Sequence, residues 1–352
     1  RPRRAMAKKR DEGVAPPAKA RAGGAGQKFV EPMKALLVDA PPAGEWIYEI
    51  KFDGFRALAF CEGERTRLVS RNNKDFSAKF PEVCEAVAAL GARDAVIDGE
   101  IVALDEKGRS SFQLLQAFEL GEERPPIYFY VFDLLRRGGE DLMKCPLTER
   151  KAELERLVQE APDTIRFSTS MSNDPEKLLA QAQRLGLEGL IGKKPESFYE
   201  AGRRSGAWIK LKLHREQEFV IGGYTPPGGA REHFGALLVG YYEAAPYDRP
   251  ILKFAGKVGT GFDARRLRDL HDRLRKIATE TCPFADLPEK RGARYGTSIT
   301  AAEMRRCHWV KPVLVGQIRF AEWTRDGRLR QPVFLGLRED KPAREVVRER
   351  ET

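Results

Sequence analysis

Tyr48-Glu49-Ile50-Lys51-Phe52-Asp53-Gly54-Phe55-Arg56 sets a lysine, a carboxylate, a glycine and an arginine beside an alternating apolar run. Residues two apart on a strand share a face, so the stretch reads as a β-strand running into a hairpin. It is also one way to build a nucleophilic lysine. Free lysine is protonated at pH 7, so a nucleophilic one needs its pKa lowered by burial or by neighbouring cations, and Arg56 is placed to be such a cation. An ordinary hairpin with surface charges and a reactive amine both remain open on these nine residues alone.

Outward from this stretch the pattern is rich in short strands: Trp46 to Phe52, Arg56 to Cys61, Arg67 to Ser70, Ala95 to Leu104 and Ile127 to Leu135. Helical spacing appears over Phe80 to Leu90, Thr148 to Gln159 and Pro175 to Leu185, the last with Asn173 or Asp174 as cap. Strands follow near Gly189 to Lys193 and Trp208 to Leu213. After His214-Arg215-Glu216 the pattern shifts to five strands, Phe219 to Tyr224, Phe234 to Tyr242, Ile251 to Val258, Val313 to Trp323 and Val333 to Leu337, with one helix over Asp263 to Thr279. The fold class is α+β with largely antiparallel pairing, and the C-terminal part suits an OB-fold β-barrel. The expected domains are a flexible basic linker at 1–28, a first folded domain at 29–215 and the OB-fold domain at 216–352.

The chain has 352 residues, enough for two or three domains, and its 41% hydrophobic content can bury a core in each. Lys and Arg number 62 against 52 acidic residues, and the net charge of +10 favours a polyanionic partner, nucleic acid first. No apolar run of 18 residues and no signal-peptide stretch argues for membrane insertion or export, so a cytoplasmic protein is expected. The five cysteines form no C-x-x-C pair, and the four histidines have no metalloprotease spacing, which weighs against structural zinc and against histidine catalysis.

Polar clusters recur at strand ends. Ser70-Arg71-Asn72 follows a strand, Asp98-Gly99-Glu100 interrupts an apolar one, and Phe132-Asp133 closes an aromatic one. Glu188-Gly189-Leu190-Ile191-Gly192-Lys193 begins another, and Trp208-Ile209-Lys210-Leu211-Lys212 alternates so that both lysines face one way. Each has a bland alternative: an ion pair with a structural arginine, plain core, a solvated strand face. Gly186 to Lys193 fails as a P-loop on spacing and on Lys194, and Gly259 to Ala264 reads as a turn before a helix rather than a dinucleotide fingerprint.

In order, these clusters resemble the motif series of the covalent nucleotidyltransferases, the superfamily of ATP-dependent DNA ligases, RNA ligases and mRNA capping enzymes. Arg338-Glu339-Asp340-Lys341 looks like the R-x-D-K motif on the OB domain of that superfamily, and its surroundings are similar to the ligase domain of bacterial DNA ligase D. The resemblance runs from about Phe29 to Glu345. It implies that Lys51 attacks the α-phosphate of ATP and carries AMP. Nucleotide contacts are implied for Arg56, Arg71, Glu100, Phe132, Lys210 and Lys212, with Phe132 stacking on adenine and Arg71 and Glu100 near the ribose. Glu188 and Glu100 are implied for a Mg²⁺ or Mn²⁺ ion, and the cations around the phosphates are expected to depress the Lys51 pKa. Arg338, Asp340 and Lys341 would orient pyrophosphate when a moving OB domain closes.

The same resemblance implies nicked or broken duplex DNA as partner, with Arg203, Arg204, Arg265, Arg266 and Arg268 as candidate phosphate contacts. It also implies double-strand break repair by end joining, a monomer working at the nucleoid, a Ku-like end-binding protein, and polymerase and phosphoesterase modules in a longer chain from which this one is excised. An RNA ligase or a capping guanylyltransferase shares the lysine chemistry, and an inert nucleic-acid-binding OB protein is the non-enzyme alternative.

Overall fold

The computed structural model describes residues 27–171, 174–244, 249–288 and 299–349. The expected linker and the Asn173 cap lie almost wholly outside these residues; Asp174 accepts the Glu176 amide and caps the helix Pro175–Arg184. Among the described residues no helix is long and apolar enough to cross a membrane.

Two sheets face each other in the first half of the chain. One runs in the order Arg65–Ser70, Phe55–Glu62, Ala95–Ala103, Ile127–Arg137, Glu140–Asp141, all antiparallel, with Ile165–Phe167 added in parallel to Ile127–Arg137. It is apolar on both faces. Ala57, Ala59, Ile97 and Val131 pack under the helices Pro81–Ala89, Phe112–Glu119 and Leu147–Val158, while Leu58, Phe60, Val96 and Phe132 join Tyr199 and Trp208 on the other side. That two-sided burial explains the near-continuous hydrophobic runs. The helix Phe112–Glu119 escaped sequence reading; Ser111 and Asp53 accept the amides of its first turn.

The second sheet is ordered Leu36–Leu37, Trp208–Lys212, Gly189–Lys193, Ile47–Ile50. Its alternation is strict. Tyr48, Leu190, Ile209 and Leu211 pack against Leu178 and Ala182 of the helix Pro175–Arg184, which leaves Glu49, Lys193, Lys210 and Lys212 to the opposite face.

The C-terminal sheet closes as an OB-fold barrel. Arg215–Tyr224 pairs with Leu237–Glu243 on one edge, and with Val315–Phe320 and His308–Val310 on the other. Ile251–Val258 extends one side, Val333–Leu337 the other, and a bridge from Thr260 to Val333 joins the ends. Register shifts at Ile221/Gly223, Val239/Gly240 and Gln317/Ile318 supply curvature. The single strand expected over Val313 to Trp323 is two, because the chain turns at Ala321 and Glu322–Trp323 forms its own hairpin with Leu329–Arg330. That turn brings the Trp323 ring centre within 5.4 Å of that of Phe320. Asp263 caps the helix Ala264–Lys276, so the Gly259 to Ala264 stretch is a turn before a helix, as expected.

The barrel docks on the first domain. Leu335 is buried in the core beneath the six-stranded sheet, and the Arg338 guanidinium reaches the Gly54 carbonyl at 3.2 Å.

Candidate active site

Between the two sheets and the barrel lies a cavity of about 690 Å³, and Lys51 sits on its wall. The antiparallel register places Ile50 opposite Leu190, and the Lys51 amide donates to the Gly189 carbonyl at 3.0 Å. Glu188 is therefore beside Lys51, and the ammonium donates to its carboxylate. Gly189 has φ +151°, and a Cβ there would lie 2.0 Å from the Leu211 carbonyl oxygen, so only glycine lets the three strands meet here. Gly54 has the same role on the other side of the lysine, where a Cβ would fall 2.1 Å from the Ile101 carbonyl oxygen.

The charge around Lys51 differs from the sequence expectation. Burial works to lower its pKa, but the Glu188 carboxylate, with Asp53 and Glu100 beyond it, outweighs burial and raises it. The cations expected to depress it are engaged elsewhere. Arg56 makes two 2.6 Å bonds to buried Asp98, which also accepts the Tyr199 hydroxyl proton at 2.7 Å. Lys210 and Lys212 are held by Glu349 at 2.6 and 2.8 Å. Burial, with Lys212 and Lys51 adding, pushes Lys210 down to about 8 against the pull of Glu349.

Three carboxylates, from Asp53, Glu188 and Glu216, place oxygens within 4.8 Å of one another. Burial and the charges of Glu188 and Glu216 push Asp53 up to about 7. One oxygen of Glu188 and one of Glu216 are buried without a hydrogen-bond partner. A buried anionic oxygen without a partner is costly, and an all-oxygen donor set suits a hard divalent cation, so these residues fit Mg²⁺ or Mn²⁺. Glu100, the second metal ligand expected, stands outside this group; burial pushes it up to about 7, although Arg56, Lys51 and Arg338 oppose the shift.

Lys51, Arg56, Arg71, Glu100, Phe132, Glu188, Lys210, Lys212, Arg204, Arg338 and Lys341 all line the one cavity. Phe132 is buried edge-on to Trp208, with the Arg56 guanidinium 4.7 Å and the Lys193 ammonium 4.5 Å from its ring centre. Asp340 is behind the wall: it pairs with Arg338 at 2.9 Å and with Arg71 at 3.1 Å. Lys341 and Arg71 share Glu218, at 3.2 and 2.7 Å. Arg203 is exposed away from the cavity, and Arg265, Arg266 and Arg268 lie on the barrel helix, Arg265 within 3.4 Å of Glu122 and Arg266 within 3.5 Å of Asp263.

Sequence reading missed five residues. Asp53 and Glu216 complete the carboxylate group. Glu49 and Lys193 form a buried pair on the cavity wall at 2.9 Å, braced by Lys151 at 2.9 Å and by the Ser168 hydroxyl at 2.8 Å. Glu349 closes over the lysines. A signal existed for Glu49 and Asp53, which stand two residues either side of Lys51; Glu349 stands eight residues past Lys341 and belongs to no motif.

Residues 29–212 match the model of the ATP dependent DNA ligase domain, and residues 230–341 that of the ATP dependent DNA ligase C terminal region. The chain is 44% identical over 355 residues to the multifunctional non-homologous end joining protein LigD of Pseudomonas aeruginosa, covering 99% of this chain and 40% of that protein. It is 35% identical over 308 residues to the protein of the same name from Mycobacterium bovis, covering 87% of this chain and 38% of that one. It thus spans about 40% of the length of these curated relatives. A solved structure of mycobacterial DNA ligase D complexed with ATP and MES is 33% identical, with a TM-score of 0.60 over 90% of this chain and 98% of that chain.

Proposed function

The chain belongs to the ATP-dependent DNA ligase family, and on that premise we propose that it seals 5′-phosphate/3′-hydroxyl breaks in duplex DNA through AMP carried on Lys51. The observation that carries the proposal is the placement of the Lys51 amine in one cavity with a two-lysine face and a three-carboxylate group. Nζ attacks the α-phosphorus of ATP, the bond to the β-phosphate oxygen breaks, and pyrophosphate leaves. The ammonium must first lose a proton. Glu188 holds that proton on Lys51; with a cation engaging its carboxylate the hold would weaken, and the proton would pass to solvent.

On this reading Lys210 and Lys212 compensate charge on the phosphate oxygens. Phe132 with Trp208 forms the apolar wall for the base, Arg71 and Glu100 border the ribose, and Arg56 braces the nucleotide pocket through Asp98. Asp53, Glu188 and Glu216 would hold a Mg²⁺ or Mn²⁺ ion, which when bound supplies positive charge beside the phosphates. Glu216 comes from the barrel, so barrel docking completes the carboxylate group. Arg338 and Lys341 face the leaving pyrophosphate, with Asp340 orienting Arg338. AMP then passes to the 5′-phosphate of a break, and the 3′-hydroxyl displaces it.

The chain divides on the same reading into a basic linker at 1–28, an adenylyltransferase domain at 29–215 and the OB domain at 216–352. Its work is in end joining, as the names of the relatives suggest, by a monomer at the bacterial nucleoid with a Ku-like protein and with polymerase and phosphoesterase modules as partners. Arg203, Arg204, Arg265, Arg266 and Arg268 are its DNA phosphate contacts. The test is sealing of a labelled nicked duplex in ATP or GTP, with DNA or RNA on the 3′ side. Sealing of DNA with ATP alone supports it; activity restricted to GTP, or to RNA nicks, contradicts it.

A further inference from the structure

The chain after the barrel's last strand turns back across the mouth of the cavity. Val346 is fully buried in the barrel core, and its carbonyl accepts the Tyr242 amide at 2.7 Å. From that anchor three residues reach the site. Gln217 receives Val347 and Glu349 on its side-chain amide, accepting the Glu349 amide at 3.2 Å and donating to the Val347 carbonyl at 3.4 Å. Arg348 lies over the Trp323 ring at 4.2 Å. Glu349 then extends its carboxylate to Lys210 at 2.6 Å and Lys212 at 2.8 Å, with 15% of its side chain exposed.

This is the geometry of a phosphate bound to the same face. Two anionic oxygens on one centre take one ammonium each, as two non-bridging oxygens of a phosphate group would. Burial works to raise the Glu349 carboxyl, yet the two ammonium groups outweigh it and hold the group down at about 2. Its anchor is also separable from it: Val346 belongs to the barrel core, whereas Val347 is half exposed on an isolated backbone bridge to Tyr242, and Glu349 is held by its amide on the Gln217 side chain and by its carboxylate on the two lysines. The Glu349 end can therefore leave the lysines without unfolding the barrel.

We propose that residues 347–349 form an intramolecular strap whose Glu349 carboxylate occupies the phosphate-binding lysines and competes with the triphosphate of ATP. The proposal rests on the assignment of Lys210 and Lys212 as phosphate ligands. A chain in the strapped state binds nucleotide only in proportion to the time the strap is off, so apparent affinity falls by that fraction. The strap also neutralises two lysines while no nucleotide is bound, which keeps the docked domains free of like-charge repulsion between Lys210, Lys212 and Lys51.

The test uses the full chain and its Glu349→Gln and Glu349→Asp variants. The rate of AMP attachment to the protein is followed by mass as ATP is varied. The half-saturating ATP concentration is expected to fall roughly 3- to 10-fold in Glu349→Gln, with the maximal rate unchanged within about twofold, and to stay near the wild-type value in Glu349→Asp. In parallel, a non-hydrolysable α,β-methylene analogue of ATP should expose Arg348 of the wild-type chain to trypsin. If the wild type attaches AMP but Glu349→Gln leaves the half-saturation point unmoved and the analogue leaves Arg348 cleavage unchanged, the strap is overturned while the ligase reading stands. If the wild type attaches no AMP at any ATP concentration, the ligase reading falls and this proposal falls with it.

Discussion

The Lys51 ammonium donates to the Glu188 carboxylate, and the same two strands hold them together through the bond from the Lys51 amide to the Gly189 carbonyl. The amine is thus stored in its protonated form: burial works against the charge, and Glu188 outweighs burial and raises the pKa. Only the free base attacks phosphorus. The rate of AMP attachment is therefore expected to rise with pH about tenfold per unit through the neutral range, measured at saturating ATP with mass detection. A rate independent of pH between about 6 and 8 would place proton loss outside the limiting step.

The carboxylate group makes a second prediction, with its sign fixed by the raised acids. Asp53 and Glu100 are both pushed up to about 7, above their unfolded values near 4. Between these limits each of these two acids binds more protons folded than unfolded, so the stability they contribute is lost as pH rises from about 4 to 7. Divalent cation should offset the loss. At pH 8, millimolar Mg²⁺ or Mn²⁺ is expected to raise Tm by about 1–3 °C, and Asp53→Asn should remove most of that gain. A Tm insensitive to both ions would remove the metal assignment.

Arg150 and Asp133 are wholly buried and paired at 2.7 and 3.0 Å, and Arg150 also donates to the Cys145 and Ser197 carbonyls. Arg150→Ala strands a buried carboxylate. The expected cost is about 3–5 kcal/mol in urea unfolding, larger than for any exposed pair such as Arg156 with Glu153.

The Arg338 guanidinium donates to the Gly54 carbonyl, so the docked barrel is tied to the same short loop that carries Lys51. Arg338→Ala should therefore slow AMP attachment about 10²-fold while leaving sealing of a nick that already carries AMP within about tenfold of wild type. Equal loss in both assays would mean that Arg338 acts in every step rather than in the docked state.

If the proposed DNA contacts hold, Arg268→Ala weakens nicked-duplex binding uniformly across sequences and reduces the slope of log affinity against log salt by about one. An unchanged slope would make the exposed barrel helix a solvated face.

Most of the longer strands were legible because the chain alternates where one face is covered, as at Trp208 to Lys212, and runs apolar where both are, as at Ile127 to Leu135; their order in the sheets, and short strands such as His308–Val310, were not. Lys51 and the lining residues were legible through the resemblance of their ordered motifs to the covalent nucleotidyltransferases, and the structure brings them round one cavity. The protonation of Lys51 was not. It depends on Glu188, 137 residues away, and on the fact that Asp98 and Glu349 neutralise the cations expected to act on it. The pairing of Glu49 with Lys151 and Lys193 was equally hidden, since a buried ion network across 102 and 144 residues leaves no local pattern. The two-strand break at Ala321 followed aromatic packing around Trp323, which a strand period does not report.

Whether Lys51 carries AMP is decided by intact-mass measurement after incubation with ATP and Mg²⁺ or Mn²⁺. A gain of ~329 Da is expected, the mass of an adenylyl group joined to a nucleophilic side chain, lost in Lys51→Ala and reversed by pyrophosphate. No gain in the wild-type chain, or a gain that persists in Lys51→Ala, would contradict it.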